Sequence, residues 1–402
     1  MRDPETSFSN LPVASRFELS EEHEIILDQA DRYAKAELYP LAEKMDNEEW
    51  WPDEAFPKLK SVGLVGVNVP EEYGGAGADL MAQALVLQAF SRWNHAFALS
   101  WAAHDNLCTD NIYRNGNEDQ RKRYLPGLCS GEKIGALGLT EPGAGSDALG
   151  SMSTTARLEG NNYILNGSKI YITNGPIADI LLVYAKTDKS KGAHGISAFI
   201  VEKDFPGFKV AQKLNKMGYR GSQTAELVFE DCLVPVENLV MDENKGVSVV
   251  MSGLDLERAV AAVAGIGIAE RALDLSIEYA KSRAQFGKPI ASFQMVQSML
   301  ADMYVAIEST RALCYKTIAQ CSDLEIGGGG RGEIHKLTAA SIMQAGNMLN
   351  GVLDKAVQIH GGYGYIWETE INRLFRSTKL LEIGAGTTEV RKMIIAEELL
   401  SK

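Results

Sequence analysis

The sequence predicts an α+β chain that is mainly helical, in three parts: a helical N-terminal domain over residues 1–130, a β domain over 131–240 and a C-terminal four-helix bundle over 241–402. Three observations predict it. Apolar residues recur at helical spacing up to about residue 130. The period then shortens to brief runs of β-formers. After Pro235 the helical period returns and holds to the end. A chain of 402 residues is long enough for two or three domains and a large core.

In the first part, Ser20 stands as an N-cap before Glu21 and Glu22, acids that suit the positive end of a helix. Ile25, Ile26, Ala30, Tyr33, Ala34 and Leu38 follow as a helical stripe. Pro40, Pro52 and Pro57 punctuate the chain, and PEEYGG at 70–75 reads as a turn cluster. Residues 81–107 read as a helix whose aromatic stripe, Phe90, Trp93, Phe97 and Trp101, belongs to a core. In the β part, two Asn-Gly pairs, Asn166-Gly167 and Asn174-Gly175, adjoin β-formers and predict hairpins. Further strands read at 180–185, 196–202, 208–212 and 225–230, a spacing that suits a small barrel or sandwich. The last part reads as helices at about 245–281, 292–324, 333–359 and 387–401, with the glycines at 327–330 as a flexible connector.

The most informative stretch is SGLDLER at 252–258, because the next eleven residues, from Ala259, carry no charge and favour a helix buried all round. Asp255 and Arg258 are three apart and can pair on one face. The helical neighbours of Glu257 are Gly253, Leu254, Val260 and Ala261, none of which offsets its charge. A carboxylate that enters an apolar core without a local partner has its pKa raised and becomes a candidate proton acceptor. The alternative is a distant Arg or Lys that pairs with it.

Composition narrows the partners. The net charge of −13, from 40 basic and 53 acidic residues, argues against a nucleic-acid or anionic-membrane partner. Five scattered cysteines with no CxxC pair suggest neither a disulfide framework nor a zinc site and fit a reducing compartment. The six histidines show no ligand spacing, so no metal is expected. No apolar run reaches the roughly 18 residues of a membrane span, and MRDPETSFSN carries no visible targeting pattern. A cytoplasmic bacterial protein and a processed mitochondrial matrix protein both fit.

Three glycine-rich stretches could meet a ligand: LTEPGAGSD from Leu139, QIHGGYG from Gln358 and IGAGTTE from Ile383, the last opening a helix. Each alone also reads as a turn or a cap. The first is neither a Walker loop nor a GxGxxG fingerprint.

Taken together these pieces resemble the acyl-CoA dehydrogenase family over nearly the whole chain. The resemblance rests on PEEYGG from Pro70, LTEPGAGSD from Leu139, NGSKIYITNG from Asn166, RAQFGKPI from Arg283, QIHGGYGY from Gln358 and EIGAGTTEVR from Glu382. It implies a middle β-barrel between two helical domains, bound FAD, an acyl-CoA substrate, a homotetramer and an electron-transferring flavoprotein as electron acceptor. By resemblance, Leu139, Thr140, Gly145, Ser146, Tyr171 and Thr173 wall the flavin ring, with Tyr171 standing where most relatives carry Trp. Arg283, Phe286, Gln294, Gln358, Gly361 and Gly362 would reach its ADP end from a neighbouring subunit, and Thr387 and Glu389 would add contacts. Ser146, Tyr184, Ala185, Asp255 and Arg258 would meet the CoA side.

Many family members carry the catalytic Glu just before the Gly-Thr of the last motif. Here Gly384-Ala385 occupies that place, which would leave room near the acyl chain. The isovaleryl-CoA dehydrogenase branch places its Glu in an LDLER stretch, which matches Glu257. The implied reaction is α,β-dehydrogenation to a trans-2-enoyl-CoA. Glu257 takes the α-proton, flavin N5 takes the β-hydride, and backbone N–H groups near Ala385-Gly386 stabilise the thioester oxygen. A short branched acyl group is expected, provided that Phe97 and Trp101 do not face the pocket. Alternatives are a straight short- or medium-chain dehydrogenase, an acyl-CoA oxidase, and a non-catalytic acyl-CoA-binding scaffold.

Overall fold

The computed structural model describes residues 19–322 and 330–401; the N-terminal decapeptide and the connector glycines 327–329 lie outside them. The first helix, α1 (Glu21–Tyr33), starts where the sequence places it. The Ser20 hydroxyl accepts from His23 N, and the His23 side chain accepts from Ser20 N, so two otherwise orphaned donors are satisfied. Then come α2 (Tyr39–Glu48), α3 (Ala55–Lys60), α4 (Leu80–Ala102), α5 (Asp110–Asn115) and α6 (Glu118–Cys129). Short π-helical segments join α1 to α2 and α4 to α5. PEEYGG is a single tight turn closed by Gly74.

The aromatic stripe of α4 is core. Phe90, Phe97 and Trp101 are fully buried, with Trp93 nearly so. Phe97 stacks on Trp51 with ring centroids 5.7 Å apart, and Trp101 Nε1 donates to the Leu64 carbonyl at 2.8 Å. Both rings therefore belong to the N-terminal helical core. Each such side chain contributes roughly 1.5–3 kcal/mol by leaving water.

The β region holds β1 (Gly135–Gly138), β2 (Thr155–Glu159), β3 (Asn162–Thr173), β4 (Ile180–Lys186), β5 (Ile196–Glu202), β6 (Phe208–Lys213), β7 (Thr224–Pro235) and β8 (Leu239–Val240). Their order is β6-β7-β3-β2-β4-β5-β8, with β1 lying parallel to β4. Two expectations are corrected here. The sheet is mixed and does not close: β6 pairs only with β7, and β8 is two residues long, too short to seal a barrel against the far edge. Neither Asn-Gly pair closes a hairpin. Asn166-Gly167 lies inside β3, where the register to β7 slips between Leu165 and Gly167. Asn166 exchanges hydrogen bonds with Asp231 of β7, and a Cβ on Gly167 would lie 2.5 Å from the Thr154 hydroxyl. The glycine serves a bulge and a close crossing instead of a turn. Asn174-Gly175 ends β3, but β3 and β4 are not sheet neighbours. The hairpin into β3 comes from β2 through Gly160-Asn161.

The C-terminal helices are α7 (Gly246–Ser282), α8 (Gln294–Cys321), α9 (Gly332–His360), α10 (Gly362–Tyr365), α11 (Glu370–Ser377), α12 (Leu380–Ile383) and α13 (Thr388–Leu400). α7 packs on α4, α8 and α9, which buries its uncharged run. Three elements converge at the head of α7. One apolar cluster joins Cys108 and Ile112 near α5, Leu182 and Tyr184 of β4, and Val249 and Val250 of α7. This cluster sets the backbone from which the site is built. Among the described residues no helix is long and apolar enough to cross a membrane.

Candidate active site

Glu257 sits about two turns beyond that junction and is partly buried. Its Oε1 accepts a hydrogen bond from Asn111 Nδ2 at 2.9 Å, a contact from α5 that spans 146 residues. Among the described residues no Lys or Arg forms an ion pair with it. Burial raises its carboxyl to about 7, opposed by the Asn111 hydrogen bond and the charge of Arg114 and reinforced by Asp110. Below it Asp110 and Arg114 form an ion pair at 2.7 Å, almost wholly buried, so Arg114 is largely neutralised by its own partner. The Tyr184 hydroxyl is fully buried with no hydrogen-bond partner among the described residues, and burial followed by the charge of Glu257 pushes it well above its ordinary value.

Asp255 and Arg258 are a different matter. Asp255 faces α9: its oxygens accept from His335 Nδ1 at 2.7 Å, Thr338 Oγ1 at 3.1 Å and Gly330 N at 2.7 Å. Arg258 stands 3.9 Å from it, a loose version of the expected pair. Arg258 Nε instead donates to the Ala385 carbonyl at 3.2 Å. Buried Arg391 donates to the carbonyls of Leu381 and Gly384. Two guanidiniums thus grip the loop between α12 and α13, in which Ala385 and Gly386 both take positive φ. Thr387 caps α13, its hydroxyl accepting from Val390 N at 3.3 Å.

The loop from Leu139 is braced from behind by β3. Lys169 Nζ donates to Leu139 O at 3.1 Å and pairs with Glu141 at 2.8 Å, and Ile170 N donates to Thr140 O at 2.9 Å. Burial works against the Glu141 charge, yet Lys169, Ser153 and Thr154 hold its carboxyl at about 2. A register shift between Lys169 and Ile172 leaves Tyr171 at φ +60° and 68% exposed. Gly145 and Ser146 are exposed, while Leu139, Thr140 and Thr173 are half-buried. A flat exposed ring flanked by hydroxyls and a braced backbone loop suits a planar, amide-edged heterocycle, so the donor set fits an isoalloxazine.

Arg283, Phe286, Gln294, Gln358, Gly361 and Gly362 are all exposed, with Phe286 92% so on a small turn past α7. Its ring meets Phe293 edge-on with centroids 6.1 Å apart, which leaves most of the side chain uncovered among the described residues. Glu389 is exposed in the first turn of α13. The structure does not open Tyr184, Ala185, Asp255 or Arg258 to a ligand: all are buried, and Ala185 pairs with Ser197 of β5 inside the sheet. Asn111, Arg114 and Arg391 escaped sequence reasoning. The i,i+4 pair Asp110–Arg114 on a short helix was the one local sign that a polar cluster enters the interior. Among the described residues no group of three His, Cys, Asp or Glu side chains could hold a metal.

Comparison with known proteins agrees with this geometry. Models of the N-terminal, middle and C-terminal domains of acyl-CoA dehydrogenase match residues 20–132, 136–232 and 244–400. The chain is 44% identical over 374 residues to mitochondrial isovaleryl-CoA dehydrogenase of Solanum tuberosum, covering 92% of this chain and 89% of that one. It is 41% identical to a short-chain specific acyl-CoA dehydrogenase of Clostridium acetobutylicum, covering 95% and 99%. An acyl-CoA dehydrogenase of Bacillus anthracis solved with FAD superposes with a TM-score of 0.88 at 37% identity, covering 96% of this chain and 68% of that one.

Proposed function

The chain belongs to the acyl-CoA dehydrogenase family, which uses FAD, and within that family we propose that it dehydrogenates a short branched acyl-CoA of the isovaleryl type with Glu257 as the base. One observation carries the reading. Glu257 is a recessed carboxylate whose direct partner is neutral, and burial brings its pKa to about 7. A base matched to neutral pH can take a proton from carbon without being locked in an ion pair.

FAD bound there would supply a hydride acceptor for the β-hydrogen, and Glu257 would take the α-proton on a carboxylate oxygen, which leaves a trans-2-enoyl-CoA. Leu139, Thr140, Gly145, Ser146, Tyr171 and Thr173 would hold the flavin ring, with Thr387 and Glu389 nearby. Arg283, Phe286, Gln294, Gln358, Gly361 and Gly362 would serve the ADP end in a homotetramer. The exposed Phe286 supports cover by a second copy. The 384–386 loop, held by Arg258 and Arg391, would present backbone N–H to the developing thioester oxygen. Ser146 remains on the CoA side in this reading, and Gly384 and Ala385 leave space for the acyl branch. An electron-transferring flavoprotein would reoxidise the enzyme.

Glu257→Gln is expected to retain FAD and acyl-CoA binding but to lose roughly 10³-fold in flavin reduction by substrate. Near-normal reduction would remove Glu257 from the mechanism. The Clostridium relative supports a second reading, a straight short-chain substrate. A kcat/KM panel over isovaleryl-, 2-methylbutyryl-, butyryl-, octanoyl- and glutaryl-CoA separates the two: preference for isovaleryl-CoA supports the branched reading, and preference for a straight chain overturns it.

A further inference from the structure

We propose that Asn111 is the positioning residue for the base, admitted by the missing side chain of Gly253. The inference rests on Glu257 being that base. Asn111 Nδ2 donates to Leu107 O at 2.8 Å and to Glu257 Oε1 at 2.9 Å. Its Oδ1 lies 3.5 Å from Asn115 Nδ2. A flip of the amide would set its oxygen against both a carbonyl and a carboxylate, so the amide has one workable orientation. Asn115 in turn accepts from the Ser252 hydroxyl at 3.1 Å, a second side-chain link between α5 and α7.

Gly253 makes the arrangement possible. A Cβ there would lie 2.7 Å from Asn111 Oδ1, 2.9 Å from its Nδ2 and 3.1 Å from Glu257 Oε1. A side chain at 253 would thus displace the Asn111 amide and crowd the Glu257 carboxylate at once. The glycine is one helical turn before Glu257, where helix propensity alone would favour another residue.

Other charged or titratable groups face Glu257 without touching it. Arg114 and Asp110 come from α5 and pair with each other at 2.7 Å. Tyr184 comes from β4, and Arg258 from the same helix turns to Ala385. Among the described residues only the Asn111 amide bonds the carboxylate directly. It stabilises the ionised form that accepts the proton, and it fixes which oxygen is held and which is free. The amide is uncharged, so it does this without quenching basicity as an arginine would.

The experiment is anaerobic stopped-flow reduction of the FAD-loaded enzyme from pH 5.5 to 9.5, using isovaleryl-CoA and butyryl-CoA. Losing the donor raises the pKa of the base. Asn111→Leu is therefore expected to move the acid limb up by about one unit, to lose about tenfold at pH 6.5 and to recover most of it by pH 9, with acyl-CoA binding unchanged. Gly253→Ala should reproduce the shift more weakly, and it serves if Asn111→Leu fails to fold. A loss equal at every pH, or no shift in either variant, overturns the inference. Glu257→Gln run alongside separates the two failures. If it is inactive at every pH while Asn111→Leu leaves the limb in place, the base stands and the positioning role falls. If it reduces flavin normally, the base itself falls.

Discussion

Asp255 and Glu257 stand two residues apart on α7, both are set into the interior, and their carboxyls shift in opposite directions. Burial alone would raise both. Asp255 is nevertheless held below its ordinary value because His335, the Gly330 amide and Arg258 favour its charged form, with Thr338 adding a donor. Glu257 meets one neutral amide and rises to about 7. Burial pushes both upward, and the neighbours decide whether that push is overcome. One hundred degrees of helical rotation per residue sends the first toward α9 and the second toward α5. The same helix therefore carries a clamp and a base.

The comparison breaks if the clamp proves catalytic. Asp255→Ala strips the acceptor from a buried set of donors and should destabilise the fold by about 4 kcal/mol. Flavin reduction in the folded fraction should stay within tenfold of the parent. Urea unfolding and stopped-flow reduction on the same preparation check both. A loss of reduction as large as that of Glu257→Gln would put Asp255 in the chemistry.

Stability against pH sharpens the contrast, because the two acids have opposite signs. Glu257 has a raised folded pKa, so the native state holds its proton longer than the unfolded chain. It withdraws stability as pH climbs from about 4.5 to 7, and the cost is complete above 7. Asp255, with a lowered folded pKa, contributes stability at neutral pH that is lost as pH falls through the region below its ordinary 3.8. Glu257→Gln should therefore be more stable than the parent at pH 8 by about 3 kcal/mol, with the gap shrinking toward pH 5. Urea midpoints at both pH values measure it. A gap that widened toward pH 5 would assign Glu257 the wrong sign.

The smallest effect calibrates a polar contact with no buried charge. Thr387→Ala removes the cap of α13 and should lower stability by about 1 kcal/mol in thermal or urea unfolding. A loss of several kcal/mol would mean that the loop held by Arg258 and Arg391 depends on that hydroxyl as well.

Local information was enough for much of the chain. The expected helices at 245–281, 333–359 and 387–401 appear as Gly246–Ser282, Gly332–His360 and Thr388–Leu400, and Ser20 caps the helix it precedes. Their apolar periodicity and caps are encoded within a few residues. The uncharged run after Arg258 also placed Glu257 at the edge of a core. Motif order brought the family into view, and with it FAD and the acyl-CoA class.

Tertiary structure decided what depends on distant partners. Asn166-Gly167 has the chemistry of a turn, but Asp231 and Thr154 press it into a bulge. Whether the strands closed into a ring depended on how long the edge strands are and what they reach. Asn111 sits on a six-residue helix 146 positions before Glu257, and no spacing rule links the two. Arg258 and Asp255 looked like one another's partner from the helix alone. Folding gave each a better one, because a backbone carbonyl and a histidine arrived closer than they could reach each other.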